Sequence, residues 1–390
     1  MNDISEKVVS VLHGLLKSPT SLHEPSFKGR EWDYIKDCID TGWVSTAGAY
    51  VERFEEMLRE FTGAKHVIAT SSGTAALHSV FAALNIGHGD EVIVQSLTFI
   101  ATANAITYTG ARPHFADIEE LSLGLDVKKI REHLEQFAEK RKDGLYNLST
   151  GGRIVAVACM HTFGHPSNLD ALAELCKDFD LILIEDAAES LGSYYKGRHT
   201  GNHGHVATLS FNGNKTITTG GGGAILTNDS ALAAKLRHLT TTAKTPHSWE
   251  FIHDCVGFNY RLPNINAALG CAQLEELPNF LLKKRQLADA YKTAFSKLPE
   301  IKVFNEPAWG HSNYWLNLLL LNKANFKTRD KILTETNNAG YMTRPAWRPM
   351  HKLPMFSNMP CTDLSKTEDI YARLVNIPSS PHLADQLTDA

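Results

Sequence analysis

The most constraining feature of this 390-residue sequence is a regular alternation of short apolar runs and helix-length segments. The runs are rich in Val, Ile and Leu and cover residues 66–70, 91–95, 112–115, 154–159 and 181–184. Segments of helical length follow or separate them, at residues 74–85, 101–108, 127–142 and 169–178. Strands that alternate with helices are typical of βαβ units, in which a mainly parallel sheet is covered on both faces. The sequence therefore predicts an α/β fold, with a polar loop at residues 143–152.

A second pattern begins with a long predicted helix over residues 264–295. The elements after it are predicted as strands at 301–304 and 314–321 and as helices at 327–338 and 366–374. Because this α+β arrangement differs from the alternation before it, we predict two domains. The large domain covers residues 1–285 and includes an N-terminal arm, and the small domain covers residues 286–390.

The composition is that of an ordinary globular protein, with 43% hydrophobic and 21% charged residues. A net charge of −4 favours neither nucleic acid nor an anionic membrane as a partner. The six cysteines are scattered without metal-ligand spacing, which predicts reduced thiols and no metal site. The first residues lack a signal-peptide pattern, and the longest aliphatic run, residues 318–321, is too short to cross a bilayer. We therefore expect a cytoplasmic protein.

Lys215 is the first candidate for chemistry. It lies in a polar loop of segment 208–229, between a short apolar strand and a second predicted strand at 224–227. The glycines at 220–223 let the chain turn tightly after the lysine. A lysine desolvated between two strands can act as an amine nucleophile, as a pyridoxal phosphate (PLP) Schiff base requires. A lone hairpin lysine is more often merely solvated, so the rest of the chain has to supply the supporting groups.

Three strand ends supply such groups. Gly73 and Thr74 open a helix directly after a strand, where free N–H groups favour a phosphate, although a plain helix cap has the same sequence. Asp186 follows the run 181–184, where a buried carboxylate needs a cation such as a protonated pyridine nitrogen. A helix cap or a metal ligand would also explain this aspartate. Phe99 follows the end of the run 91–95 and could stack on a planar ring or simply fill the core.

Together these motifs resemble the DegT/DnrJ/EryC1/StrS family of PLP-dependent sugar aminotransferases over residues 25–381. The resemblance implies the fold-type I, aspartate aminotransferase-like fold. It implies that Lys215 forms the Schiff base and that Asp186 pairs with the pyridine nitrogen. It places Glu189 near the cofactor ring and its 3-hydroxyl. The further cofactor contacts that it implies are Phe99 as the stacking ring, Gly73, Thr74, Ala75 and Ser210 as the phosphate cradle, and Asn259 reaching the phosphate of a neighbouring subunit.

The resemblance also implies a reaction and an assembly. Lys215, in place of the histidine of dehydratase members, implies transfer of the amino group of L-glutamate to a sugar ketone. Segments 22–32 and 41–45 resemble the subgroup that aminates UDP-linked 4-keto-6-deoxy-N-acetylhexosamines for surface glycans. Asn259 implies a homodimer with shared active sites. Residues predicted to contact the substrate are Trp43, His161, Asn313, Tyr314, Arg344, Trp347 and His351.

Two alternatives remain at this point. A sugar dehydratase or isomerase could use the same cofactor, and a non-catalytic protein of this fold could sense a ligand. Product analysis with and without glutamate separates a dehydratase or isomerase from a transaminase. Conversion of the cofactor spectrum by glutamate separates a ligand sensor from a transaminase. A Rossmann dehydrogenase is disfavoured because no GxGxxG motif follows a strand, and the run 220–223 precedes one instead.

Overall fold

The alternating segments form the predicted sheet in a computed structural model that describes residues 3–387. Within these residues the strands are β1 (His66–Thr70), β2 (Asp90–Gln95), β3 (Arg112–Ala116), β4 (Ala138–Arg141), β5 (Gly144–Asn147), β6 (Arg153–Met160), β7 (Ile182–Asp186), β8 (Tyr194–Tyr195), β9 (Arg198–His199), β10 (Val206–Ser210), β11 (Gly223–Thr227), β12 (Lys244–Thr245), β13 (Ile252–His253), β14 (Ile301–Val303), β15 (Gly310–His311), β16 (Asn317–Leu321), β17 (Arg344–Pro345) and β18 (Leu374–Ile377).

The α-helices of the same residues lie mainly between these strands and in the C-terminal part. They are α1 (Ile4–Leu15), α2 (Glu31–Thr41), α3 (Ala49–Thr62), α4 (Gly73–Ala83), α5 (Ile100–Tyr108), α6 (Val127–Phe137), α7 (Leu169–Phe179), α8 (Ser230–Thr240), α9 (Asn264–Phe295), α10 (Phe326–Asn338) and α11 (Ser365–Tyr371). None of the helices found in this part of the chain combines the length and apolarity that a membrane crossing requires.

The large sheet has the strand order β1-β11-β10-β7-β6-β2-β3. Strands β10, β7, β6, β2 and β3 run parallel to their neighbours in this series, whereas β11 is antiparallel to both β1 and β10. One apolar cluster joins helices α4, α5 and α8 to one face, and a second joins α2, α3 and α9 to the other face. The predicted α/β class with a mainly parallel sheet is confirmed.

The segment 138–147 corrects two predicted elements. Helix α6 ends at Phe137 rather than at residue 142, and β4 and β5 form an antiparallel hairpin around Asp143. The hairpin extends the sheet because Leu145 of β5 pairs with Ile154 of β6 and is buried. Residues 138–142 have high helix propensity, so their pairing with β5, which itself pairs with the start of β6, decides their conformation. The predicted loop at 143–152 therefore begins as a strand.

The C-terminal part forms a separate four-stranded antiparallel sheet in the order β14-β16-β18-β17. The predicted helix at 366–374 ends at Tyr371, because Leu374 already pairs with Leu320 in this sheet. Helix α1 packs into the same apolar cluster as this sheet and the second half of α9. The first residues thus join the C-terminal unit, and the division at residue 285 lies inside the continuous helix α9 and stays a prediction.

Candidate active site

The carboxyl ends of β1, β7 and β10 meet at one edge of the large sheet. Their register aligns Thr208 with Asp186, and both Thr70 and Ser210 with Gly223. Asp186 and Ser210 end their strands, and Gly223 begins the antiparallel β11 at the same edge. Residues that are far apart in the sequence therefore lie side by side where parallel sheets usually bind ligands.

The start of helix α4 packs tightly against this edge. The Ser72 hydroxyl caps the helix by accepting a hydrogen bond from the Ala75 N–H at 3.0 Å. A Cβ at Gly73 would lie 2.9 Å from Ser210 Cβ, and one at Gly223 would lie 2.5 Å from the carbonyl carbon of Ser72. Only glycine permits this close approach. The free N–H groups and positive dipole end of α4 thus open beside a serine hydroxyl, which suits a phosphate.

A cavity of about 300 Å³ lies over the sheet edge. Its walls combine the start of α4, the strand ends and the lysine loop. The predicted site residues that line it together are Gly73, Thr74, Phe99, Asp186, Glu189, Ser210, Lys215 and Trp347. The cavity therefore brings a phosphate-type helix start, a carboxylate, an aromatic ring and an amine into one enclosure.

Asp186 is a buried carboxylate without a cationic partner among residues 3–387. Its Oδ2 accepts a hydrogen bond from the Thr102 hydroxyl at 2.6 Å, and its Oδ1 accepts one from the Ala188 N–H at 3.2 Å. Both donors are neutral, and Asp186 faces the cavity. A buried charge in this position requires a cation from a ligand, which a protonated pyridine nitrogen supplies. The site therefore fits the ring of PLP.

Replacing Thr102 by valine is expected to lower the affinity for PLP roughly 10- to 100-fold. The substitution keeps the side-chain shape but removes a hydrogen bond to a charged group, which is worth about 1.5–3 kcal/mol. Fluorescence titration of the cofactor-free protein with PLP measures the effect. Thr107→Val, in the same helix, removes a hydrogen bond to the Ala103 carbonyl (2.9 Å) and serves as control. Equal affinities of the Thr102 and Thr107 variants would show that Thr102 does not hold Asp186.

Lys215 and Glu189 form a largely buried pair in the cavity. Lys215 Nζ lies 3.1 Å from Glu189 Oε1, and its side chain is only 11% exposed. Glu189 Oε2 accepts a hydrogen bond from the Phe163 N–H at 2.8 Å. Burial raises the pKa of Glu189 to about 7, although the neighbouring Lys215 lowers it. Glu189 can therefore give or take a proton near neutral pH beside the lysine amine.

Glu189 is expected to make the stability of the cofactor-free protein depend on pH. Between about pH 5 and 7 this carboxyl is protonated in the folded state and ionised in the unfolded state, so stability falls as pH rises. The free energy of unfolding of the Glu189→Gln variant, relative to wild type, should therefore rise by about 2–3 kcal/mol from pH 5 to pH 8. Denaturant titrations at the two pH values measure this. Exposed Glu56→Gln serves as control, and a pH-independent difference for Glu189→Gln contradicts the expectation.

His161 lies under the site rather than in it. Its side chain is fully buried, and its Nε2 lies 3.0 Å from Glu185 Oε2. Burial raises the pKa of Glu185, but hydrogen bonds from His161 and from the N–H groups of Gly204 and Gly201 bring it down to about 2. A direct substrate contact of His161 is thus contradicted by the structure. Adjacent residues of a strand point to opposite faces, so Glu185 and Asp186 lie on opposite sides of the sheet.

Asn313 and Tyr314 are also buried, which contradicts the predicted substrate contacts. The Asn313 amide donates hydrogen bonds to the carbonyls of Glu189 and Leu191, both at 2.9 Å. Tyr314 is 1% exposed, and its hydroxyl lies 3.0 Å from Lys292 Nζ. Asn313 therefore supports the backbone that carries Glu189, and Tyr314 packs in the interior.

The remaining predicted residues lie around the cavity. Phe99 and Trp347 line it, with ring centroids 6.2 Å apart. Arg344 lines a neighbouring cavity that shares Trp347. His351 lies 2.7 Å from the Ser96 hydroxyl and lines neither cavity. Exposed Trp43 and Asn259 also lie outside both cavities. The substrate contact of Trp43 and the reach of Asn259 to a second subunit stay predictions.

Sequence reasoning missed several residues that support the site. Trp315 lines the cavity although it lies a hundred residues after Lys215, and no motif marks it. Phe163 has a positive φ of 56°, and its N–H donates a hydrogen bond to Glu189 Oε2 at 2.8 Å. Thr102 could have been found, since it lies one helical turn after Phe99 at a strand end.

The fold and the site define a PLP-dependent aminotransferase, and the comparisons agree. Residues 25–389 match the DegT/DnrJ/EryC1/StrS aminotransferase family, to which this chain belongs. GDP-perosamine synthase of Escherichia coli O157:H7 is 37% identical and is aligned over 94% of each chain. EpsN of Bacillus subtilis (strain 168), provisionally named a pyridoxal phosphate-dependent aminotransferase, is 36% identical over 93% of this chain and 92% of its own. A family aminotransferase from Brucella abortus superposes with a TM-score of 0.82, at 27% identity and 92% coverage of both chains.

These findings confirm the predicted family, the fold-type I architecture, the enzyme class and the cofactor. They do not confirm the UDP-N-acetylhexosamine subgroup, because the perosamine synthases are named for a GDP-linked sugar. The residues present suit PLP: a helix start with hydroxyls for its phosphate, an unpaired carboxylate for its ring nitrogen and an amine for its aldehyde.

Proposed function

We propose that this protein transfers the amino group of L-glutamate to the C4 ketone of a nucleotide-linked 4-keto-6-deoxy sugar. The observation that carries the proposal is the placement of Lys215 and Glu189 in one cavity with Asp186. The names of relatives such as the GDP-perosamine synthases support a nucleotide sugar as acceptor.

The residues of this chain have distinct tasks in such a reaction. When bound, PLP supplies a ring that takes up the electrons left when the donor loses its Cα proton. Lys215 Nζ removes that proton, and Glu189 Oε1, 3.1 Å away, exchanges protons with Nζ. Asp186 stabilises the positive charge on the ring nitrogen. Thr74, Ser210 and the start of α4 would hold the phosphate, and Phe99 would contact the ring face.

The identity of the nucleotide is a finer part of the proposal. The resemblance to enzymes for UDP-linked N-acetylhexosamines favours UDP, whereas the relatives named GDP-perosamine synthases favour GDP. A panel of UDP- and GDP-linked 4-keto-6-deoxy sugars, each with and without L-glutamate, decides between them. Amination of one of these sugars only when glutamate is present supports the proposal. Glutamate-independent dehydration or isomerisation, or cofactor binding without spectral conversion by glutamate, contradicts it.

We also propose a cytoplasmic homodimer with shared active sites. The hairpin of β12 and β13 and the loop after it expose Trp249, Phe251 and Val256 close in sequence to Asn259, and large exposed apolar groups are typical of interfaces. The free cysteines among the described residues suit a reducing compartment. Sedimentation velocity and cell fractionation test these points, and a fully active monomer would contradict the dimer.

A further inference from the structure

Trp315 forms a fixed aromatic surface beside the lysine amine. Lys215 Nζ lies 4.0 Å from the centroid of the Trp315 ring system. The indole N–H donates a hydrogen bond to the Asn214 carbonyl at 2.7 Å, which is the peptide that leads into Lys215. Both side chains are largely buried, so the attraction between the ammonium and the ring face is screened little by water.

The position of Trp315 is set by contacts on several sides. Its backbone N–H donates to Asn313 Oδ1 at 2.8 Å, and its carbonyl accepts from Lys284 Nζ at 3.1 Å. Its ring stacks against Phe163, with an interplanar angle of 19° and centroids 6.4 Å apart. The tryptophan therefore presents its face to the cavity without having to reorganise.

We propose that Trp315 is the resting surface for the Lys215 ammonium whenever the amino donor has displaced the lysine from the cofactor. In that exchange the carbon–nitrogen bond between the cofactor and Lys215 breaks, and one between the cofactor and the donor nitrogen forms. The three hydrogens of the donor ammonium end on Lys215 Nζ. Lys215 Nζ lies 3.1 Å from Glu189 Oε1 and 4.0 Å from the centroid of the Trp315 ring, so both groups can stabilise its ammonium form. Stabilising the free ammonium makes displacement more favourable. This inference rests on the proposed role of Lys215 and makes Trp315 a positioning residue.

Displacement can be measured alone with 2-methylglutamate, which carries the donor amine but has no Cα proton to lose. Titration of the PLP-loaded enzyme with this probe, followed by absorbance, gives its apparent dissociation constant. Trp315→Leu should raise that constant roughly tenfold, because the aromatic face is lost. Trp315→Phe keeps a weaker face and should raise it only two- to threefold. Trp309→Phe is the matched control, since Trp309 also donates its indole N–H to a carbonyl, that of Pro166 at 3.0 Å.

Glutarate, a dicarboxylate without an amine, separates this role from simple substrate binding or packing. Its binding does not displace Lys215, so calorimetric titration should give the same affinity for wild type, Trp315→Phe and Trp315→Leu. An equal loss of glutarate and 2-methylglutamate affinity overturns the inference, as does an unchanged 2-methylglutamate constant in Trp315→Leu. If Trp315→Leu does not fold, the same two titrations of Trp315→Phe decide. Trapping wild-type Lys215 with borohydride tests the role of the lysine separately.

Discussion

A Lys215→Ala variant is expected to lose amino transfer by roughly 10³-fold or more. The reason is that the variant lacks both the amine that binds the cofactor covalently and the base that moves the Cα proton. Among residues 3–387, Glu189 is the titratable group within hydrogen-bond reach of Lys215 Nζ, at 3.1 Å, and a carboxyl cannot form the covalent link to the cofactor. Borohydride reduction followed by peptide mass spectrometry should label Lys215 in wild type and leave the variant unlabelled.

Lys196→Ala is the matched control for this experiment. Lys196 is exposed, pairs with Asp170 and lies outside the cavity. Its variant should keep wild-type rates and the same borohydride label. Turnover of a sugar ketone by Lys215→Ala at near wild-type rates would rule out the proposed role of this lysine.

An Asp186→Asn variant is expected to lose roughly 10²- to 10³-fold in amino transfer. The neutral amide occupies the same space but does not stabilise a positive charge on the ring nitrogen, and such electrostatic contacts are worth this much in other active sites. Steady-state rates with L-glutamate and the best sugar of the panel measure the loss. The loss of amino-transfer rate in Asp186→Asn should exceed the loss in Thr102→Val, because Thr102 acts on the site through Asp186.

Asp170→Asn provides the control, because Asp170 is exposed and pairs with Lys196 at the protein surface. Rates within twofold of wild type are expected for it. If the rate of Asp186→Asn also stays within twofold of wild type, Asp186 does not stabilise a positive charge on the ring nitrogen. PLP affinity measured in parallel separates loss of cofactor from loss of catalysis.

Strand-end reasoning located the candidate site but not the face of the sheet. Lys215, Asp186 and Phe99 all line one cavity, because parallel strands bring their carboxyl ends to one edge. His161 also follows a strand end, yet its side chain turns to the opposite face and meets Glu185. The side-chain period of a strand is two residues, so an uncertainty of one residue in register reverses the face.

The residues that could not be predicted depend on contacts distant in sequence. Trp315 reaches Lys215 because contacts from distant parts of the chain, such as those of the Asn313 amide and Lys284 with its backbone, hold it in place. The hairpin at 138–147 forms because the start of β6 is free to pair with β5 before β7 joins β6 at Ala156, which local propensity does not reveal. Local patterns predicted elements and strand ends, whereas tertiary packing determined which polar side chains reach the cavity.

The most direct test of the proposed function follows the nitrogen atom itself. The PLP-loaded enzyme is incubated with ¹⁵N-labelled L-glutamate and the nucleotide-linked 4-keto-6-deoxy sugars, and the products are analysed by mass spectrometry and NMR. We expect ¹⁵N at C4 of one nucleotide sugar, with one 2-oxoglutarate formed for each amino sugar. Consumption of the sugar without ¹⁵N in the product, or no conversion of any sugar while glutamate still converts the cofactor, would contradict the proposed function.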